Sequence, residues 1–479
     1  MLVSLRIPGR RTLSTLAVAA LLGIVVFGLV IPSSRDTVRD FWQTKSGKPA
    51  SKPDDKAEKP KPTPKYKPTP TYLPPPIKDN FPLLATSTPP PIPEWNVPRK
   101  DVHKEYDLPV APPLFIGFTR SWPILLQAVV SYITAGWPAD QIYVIENTGV
   151  QQANARGQLT LQNPFYLNHT VLKELLGVNI VQTPTLLSFA QMQNFFLSLT
   201  YANDWPYFFW SHMDVLVLSY EDGREKLTPP YNKPGYKSVY ELGLTALQEA
   251  RRSDPRWATR FFAYDHLALV NAAAYEDVGG WDTFIPYYIT DCDMHSRLTM
   301  RNWTMRDAKA AIITDVAASL SDLRVLYRVD GVKPEFTDPN PPPPKPKEEP
   351  KKSWWPRRDA DVQEDGVQPS AAQRAGISPR DEPGDPNLDK WHALRMTADR
   401  MYQHKHGDRD RNTWQLGQHG GQGEPFYYDA AGMAQALNLI TENGREIFRR
   451  KWGHRDCDLI TGAGLKFEDA WKVEKDWQD

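Results

Sequence analysis

The polar tetrad Ser211-His212-Met213-Asp214 interrupts an otherwise apolar run, Tyr207-Phe-Phe-Trp before it and Val215-Leu-Val-Leu218 after it. A buried strand excludes an imidazole and a carboxylate unless each has a partner. A histidine and an aspartate where such a strand breaks therefore point toward a ligand or a metal. A carboxylate suits a hard divalent cation, and imidazole can ligate Mn2+. A hydrogen-bonded structural histidine fits His212 equally well. A second apolar run, residues 260–271, breaks at Asp265-His266. Further acids follow at Asp282, after Gly279-Gly280-Trp281, and at Asp291 and Asp293 on either side of Cys292. A carboxylate in a partly desolvated site can take the proton of an attacking hydroxyl. Aspartates at a helix start are also ordinary caps and dipole partners.

These residues must be positioned by regular elements, which begin at Leu114. Leu114 to Phe118 reads as a short strand, Thr119-Arg120-Ser121 as a turn with a cap, and Ile124 to Ala135 as a helix with Pro123 in its first turn. Gly136-Trp137-Pro138 ends that helix. Gln141 to Glu146 is a second strand, closed by Asn147-Thr-Gly149. Strand–helix–strand is the unit of a parallel sheet. A third strand is expected at 179–182, a helix over about 188–201, and then the interrupted strand. Open α/β sheets bind ligands beyond the carboxyl ends of their strands. Arg120, Glu146, Asn147 and His212 to Asp214 all fall at such ends. A helix is expected over 291–300, and two more over 388–403 and 430–452.

The chain has 479 residues and a formal net charge of zero, which gives no reason to expect nucleic acid as a partner. Leu13 to Ile31 is an almost unbroken apolar run, just long enough for a hydrocarbon core of about 30 Å. Arg6, Arg10 and Arg11 precede it, placing residues 1–12 in the cytoplasm. The run is long for a signal peptide and lacks an Ala-x-Ala site, so a retained anchor over 13–31 is the reading preferred to a cleaved leader. Most of the 45 prolines cluster in two tracts. Residues 32–113, Lys/Pro-rich from Lys48, are expected to be a disordered stem, and 331–388 a disordered insert. Folded regions would then be 114–330, carrying the site, and a helical part over 389–479. Cys292 and Cys457 are the only cysteines. One bridge in an oxidising lumen and a buried free Cys292 both fit. Asn168-His-Thr and Asn302-Trp-Thr are glycosylation sequons, consistent with a lumenal domain.

Three blocks resemble the GT-A-type nucleotide-sugar glycosyltransferases, including Golgi type II members of filamentous fungi. They are the opening strand–helix–strand ending in Val-Ile-Glu-Asn-Thr-Gly149, then Phe-Trp-Ser-His-Met-Asp214, then Val278-Gly-Gly-Trp-Asp282 followed by Asp291-Cys-Asp293 and Arg297-Leu298. The resemblance covers about residues 114–320, with an echo at 444–458. It implies an α/β fold with a GT-A-like (Rossmann-like), mostly parallel mixed sheet flanked by helices, preceded by one transmembrane helix and a stem. In that family an Asp-x-Asp motif binds the divalent ion that holds the donor diphosphate. Here the triplet is His212-Met213-Asp214, so the first acid is replaced. The resemblance implies Mn2+ or Mg2+ on Asp214, with His212 and a late histidine, His454, as further ligands. Asp315 and His266 are rivals of His454. It makes Asp291 the base, with Asp293 beside it, and the chemistry inverting. It puts Trp281 and Asp282 near a glycan or glycoprotein acceptor. Glu146, Asn147 and Arg120 would meet the nucleotide of a donor, a UDP-sugar; an Asn147 that only closes a turn and a solvated Arg120 are the plain alternatives, the latter preferred. The implied place is the Golgi membrane, with the folded part lumenal. The missing first acid motivates the alternative of a catalytically inactive domain that binds or scaffolds.

Overall fold

The computed structural model describes residues 63–69, 71–341, 343–344, 385–407, 419–425 and 428–478. The apolar run 13–31, the stem up to 62 and the insert over 345–384 lie outside the described residues. Among the described residues no helix is long and apolar enough to cross a membrane. The chain divides into two units, 1–70 and 71–479. Of the first, residues 63–69 are exposed chain without regular structure. The second carries every candidate residue.

The expected strand–helix–strand is present. β1 (Leu114–Phe118) leads into α1 (Trp122–Thr134) and then β2 (Ile142–Glu146). All thirteen residues of α1 are buried. This follows from its composition, Trp-Pro-Ile-Leu-Leu-Gln-Ala-Val-Val-Ser-Tyr-Ile-Thr, which offers no charged face to water. The turn before it differs from expectation. Ser121 is left-handed (φ 73°) and makes no side-chain cap, its amide donating instead to Pro164 O at 2.8 Å. After the short α2 (Gln151–Ala155) come β3 (Asn179–Gln182), α3 (Phe189–Ala202) and β4 (Tyr207–Ser211). A Ser188–Gln191 capping box starts α3.

The apolar run that breaks at Ser211 does not resume in the same sheet. β5 (Val215–Leu218) leaves it to form a separate antiparallel ribbon. α4 (Val239–Ser253), β6 (Trp257–Phe261), β7 (Leu267–Asn271), α5 (Ala272–Asp277), α6 (Thr290–Met300) and β8 (Thr304–Asp307) follow. β9 (Ile312–Asp315) then pairs with β5, with Val215 opposite Asp315. The main sheet has the order β3-β2-β1-β4-β7-β6-β8. β3, β2, β1 and β4 run parallel, β7 is antiparallel to both its neighbours, and β8 is parallel to β6. This is the mostly parallel mixed sheet expected of a Rossmann-like fold. Alternation along β1 divides its side chains between two cores: Leu114, Ile116 and Phe118 on one face, Phe115 on the other.

Two boundaries are corrected. The last part of the expected stem is folded, because Phe81, Leu84, Val102, Tyr106 and Leu108 are buried in the main core. Proline enrichment there marks short 3-10 turns, not an unstructured spacer. The start of the expected insert is folded too: β10 (Ser319–Leu320) pairs antiparallel with β11 (Phe336–Thr337). Beyond it, α7 (Pro386–His406) packs on β9, and α8 (Ala430–Trp452) packs on α6.

Candidate active site

The carboxyl ends of β1, β2 and β4 bring the candidate residues to one edge of the sheet, but with different amounts of freedom. Glu146, which ends β2, is fully buried, and both its oxygens are occupied. Oε2 meets His169 Nε2 at 2.9 Å and Gln182 Nε2 at 3.0 Å, while Oε1 accepts from Asn154 Nδ2 at 2.9 Å. Asn147 bonds the backbone of Leu187 with both ends of its amide, at 2.9 and 2.7 Å. Both side chains, expected to meet a nucleotide, instead tie β2 to the chain that precedes α3.

Arg120 differs. It is 5% exposed, and among the described residues no carboxylate pairs with it. Among the described residues its Nη1 reaches Met433 Sδ at 3.6 Å, and its buried Nε has no partner. Burial pushes the guanidinium down to about 10, and the hydroxyl of Tyr287 offsets little of that. A buried cation without a counter-charge is costly to the fold. Met433 and Tyr287 also line a cavity of about 710 Å3. Its walls come from Leu186 and Ser188, from Phe284 to Tyr287, and from the amino-terminal half of α8.

Beyond the end of β4, Asp214 is 4% exposed and lies in a cluster of charges. Lys405 Nζ, at the carboxyl end of α7, is 2.8 Å from Asp214 Oδ2 and 2.5 Å from Asp315 Oδ1. Lys405 itself is 1% exposed. His406 Nε2 is 2.8 Å from Asp315 Oδ2, and His266 Nε2 is 3.6 Å from Asp315 Oδ1. His212 stands between Asp214 (Nδ1 to Oδ1, 3.6 Å) and Asp265 (Nε2 to Oδ2, 3.6 Å), with Trp210 stacked on its ring. Burial pulls the His212 imidazole down. The Asp265 and Asp214 carboxylates outweigh it and raise its pKa to about 10. Burial also opposes the charge on Asp214, but Lys405 and His212 hold that carboxyl well below its usual range. Asp315 is depressed likewise, by His266, His406 and Lys405 against the effect of burial.

A divalent ion does not fit this arrangement. Mg2+ demands carboxylate oxygens at about 2.1 Å. Bridging Asp214 Oδ2 and Asp315 Oδ1 at that distance would require displacing the buried ammonium that already bonds both. The third ligand expected at His454 is also elsewhere. His454 bonds Asp458 at 2.8 Å, bonds Asp476 as well, and groups with Asp456 in the C-terminal segment. Its rivals Asp315 and His266 are the residues that stand with Asp214.

The third block folds around α6. Asp293 is fully buried and takes three donors: Arg297 Nε at 2.8 Å, Lys451 Nζ at 2.7 Å and Trp452 Nε1 at 2.9 Å. Its expected place beside the base is thus corrected to a structural one, since one oxygen faces Arg297 of α6, the other faces the end of α8, and neither faces solvent. Asp282 pairs with the same Lys451 at 2.7 Å. Trp281 is core, 5% exposed, edge-on to Phe189. The exposed aromatics of this loop are Phe284 and Tyr288. Asp291 is half-buried in the first turn of α6 and accepts from Tyr264 Oη at 3.0 Å. Cys292, next to it, forms a disulfide with Cys457 across 165 residues.

Sequence reasoning missed Lys405, His406, Lys451 and Tyr264. Lys405 and Lys451 lie in last turns of helices, where basic residues ordinarily answer the helix dipole. Nothing in their spacing marks them as partners of distant aspartates.

No protein-family model matches the chain, and no curated protein does. Among solved structures it is similar to a cytidylyltransferase from Leptospira borgpetersenii, at 8% identity and a TM-score of 0.27, over 42% of this chain and 76% of that one. It is also similar to a mannosyltransferase from Pyrobaculum calidifontis, solved with GDP-Man and Mn2+, at 12% identity and a TM-score of 0.27. That match covers 43% of this chain and 60% of the mannosyltransferase's length. The functional reading therefore rests on this chain's own residues.

Proposed function

We propose that this chain is a glycosyltransferase that moves a sugar from a nucleotide-sugar donor, a UDP-sugar, to a glycan or glycoprotein, with inversion. The observation that carries the reading is Arg120: a buried guanidinium without a carboxylate partner among the described residues, at the carboxyl end of β1 in a parallel run of strands. Ligands of open α/β sheets bind there. A diphosphate would supply the counter-charge that the described residues do not, and the adjoining cavity is large enough for a nucleoside. Arg120 would bind the donor's phosphates, and Asp291 would take the proton of the acceptor hydroxyl. The Tyr264 hydroxyl donates to the Asp291 carboxylate at 3.0 Å and orients it. Phe284 and Tyr288 offer the acceptor exposed rings. The disulfide fits an oxidising compartment, and so fits a single-pass type II protein of the Golgi membrane with its folded part in the lumen.

A second reading is a domain that binds or scaffolds without catalysis. The engagement of Asp214 by Lys405 favours it. Screening the purified lumenal part against a panel of nucleotide sugars separates the two. Donor hydrolysis or transfer that Asp291→Asn abolishes, with nucleotide binding kept, supports the enzyme. Binding without turnover of any donor supports the scaffold. No nucleotide binding, or binding indifferent to Arg120→Gln, sinks the nucleotide reading.

A further inference from the structure

We infer that this site takes its donor without a divalent ion, because Lys405 is a built-in cation that occupies the carboxylates a metal would need. The use made of the site rests on the transferase reading above. The exclusion of the ion rests on the Lys405 geometry alone.

Three observations support it. First, the ammonium is within hydrogen-bond reach of one oxygen on each of Asp214 and Asp315, and 3.4 Å from Val316 O. These are its three donors' worth of acceptors. Second, the remaining oxygens are answered by imidazoles: Asp315 Oδ2 by His406, and Asp214 Oδ1 by His212. An incoming ion would meet carboxylates already engaged on both oxygens. Third, the segment that delivers Lys405 is packed. Met401 is fully buried, and Tyr402 stacks on His406 at 4.2 Å between ring centroids. Moving the ammonium aside would leave it inside the protein without its counter-charges, which is expensive. Positive charge for an anionic leaving group then comes from Arg120, the buried guanidinium at the carboxyl end of β1.

The test uses Mn2+ alone, followed by its paramagnetic resonance, on the full lumenal chain and three variants. Wild type is expected to show no Mn2+ site that Asp214→Asn removes. Binding that survives Asp214→Asn but is lost in His454→Ala belongs to the C-terminal cluster and agrees with the inference. Lys405→Met removes the ammonium and keeps the apolar stem, so it is expected to gain a Mn2+ site at Asp214 and Asp315. If Lys405→Met does not fold, the wild-type titration still decides. A wild-type Mn2+ site abolished by Asp214→Asn overturns the inference. In parallel, UDP affinity is expected to stay within about threefold when EDTA replaces Mn2+. UDP that binds only with Mn2+ also overturns it. UDP that binds under neither condition defeats the transferase reading, while the Mn2+ titration still judges Lys405.

Discussion

Lys405 donates to Asp214 Oδ2 at 2.8 Å although 191 residues separate them in the chain. The contact fastens the end of α7 to the turn where β4 gives way to β5, with Asp315 of β9 as the second acceptor. Charges this deeply buried are stable only as a set. Lys405→Ala leaves two carboxylates facing each other in the interior, and breaking a buried pair in this way costs about 3–5 kcal/mol. Urea unfolding of wild type and variant measures it. A loss below about 1 kcal/mol, the size of an exposed pair, would show that water reaches the cluster.

Arg120 makes the opposite prediction. Among the described residues its guanidinium is buried without a carboxylate, so its charge burdens the fold. Arg120→Met removes the charge and keeps much of the stem. Thermal stability should be unchanged or higher, while UDP affinity falls by more than about tenfold, the size of one charged hydrogen bond lost. Calorimetry and a melting curve on the same sample give both numbers. A large loss of stability with affinity intact would make Arg120 a core residue and nothing more.

Asp291 and Asp293 lie two residues apart and should respond differently to the same change. Asp293→Asn leaves Arg297 and Lys451 with reduced counter-charge in a site closed to solvent, a loss of about 3–5 kcal/mol. Asp291→Asn keeps an acceptor for Tyr264, and its stability cost should stay below about 1 kcal/mol. Its transfer rate should nevertheless collapse. Equal stability losses in the two variants would erase the distinction between them.

How much of this was legible in the sequence depended on the distance over which each signal acts. β1, α1 and β2 are written in local periodicity and in the Gly136-Trp137-Pro138 break, and they formed where expected. The polar break at Ser211 was legible, but its consequence was not: Val215–Leu218 reads as the same strand resumed, and only pairing with β9, about a hundred residues on, takes it to another ribbon. The candidate acids were found by type, yet their freedom was not. Asp293 and Asp291 look alike in sequence, and Lys451 decides between them from the far end of the chain. The Cys292–Cys457 pairing was undecidable for the same reason. Proline enrichment misled over residues 81–108, because it also suits turns laid against a core.

The Cys292–Cys457 bond ties the segment after α8 to α6, beside Phe448, Trp452 and Leu459, which are buried with Ile285. Closing so long a loop limits the unfolded chain, and removing such a bond typically costs about 2–4 kcal/mol. Cys457→Ser should lower the melting temperature, and dithiothreitol should lower wild type to the same value without affecting the variant. A reductant that shifts both equally would place the effect elsewhere.

His212 supplies a prediction with a sign. Its folded-state pKa, about 10, lies above the ordinary imidazole value of about 6.5. The folded state thus binds this proton more tightly than the unfolded state, so protonation stabilises the fold. That contribution is complete below about pH 6.5 and is lost as pH rises toward 10. The groups responsible are Asp265 and Asp214, on either side of the ring, with the His266 ring edge-on to it. Melting temperatures across that range should fall for wild type and stay flatter for His212→Gln. The difference between the two curves removes every other titration. A difference that does not change with pH would mean that His212 is neutral in the fold.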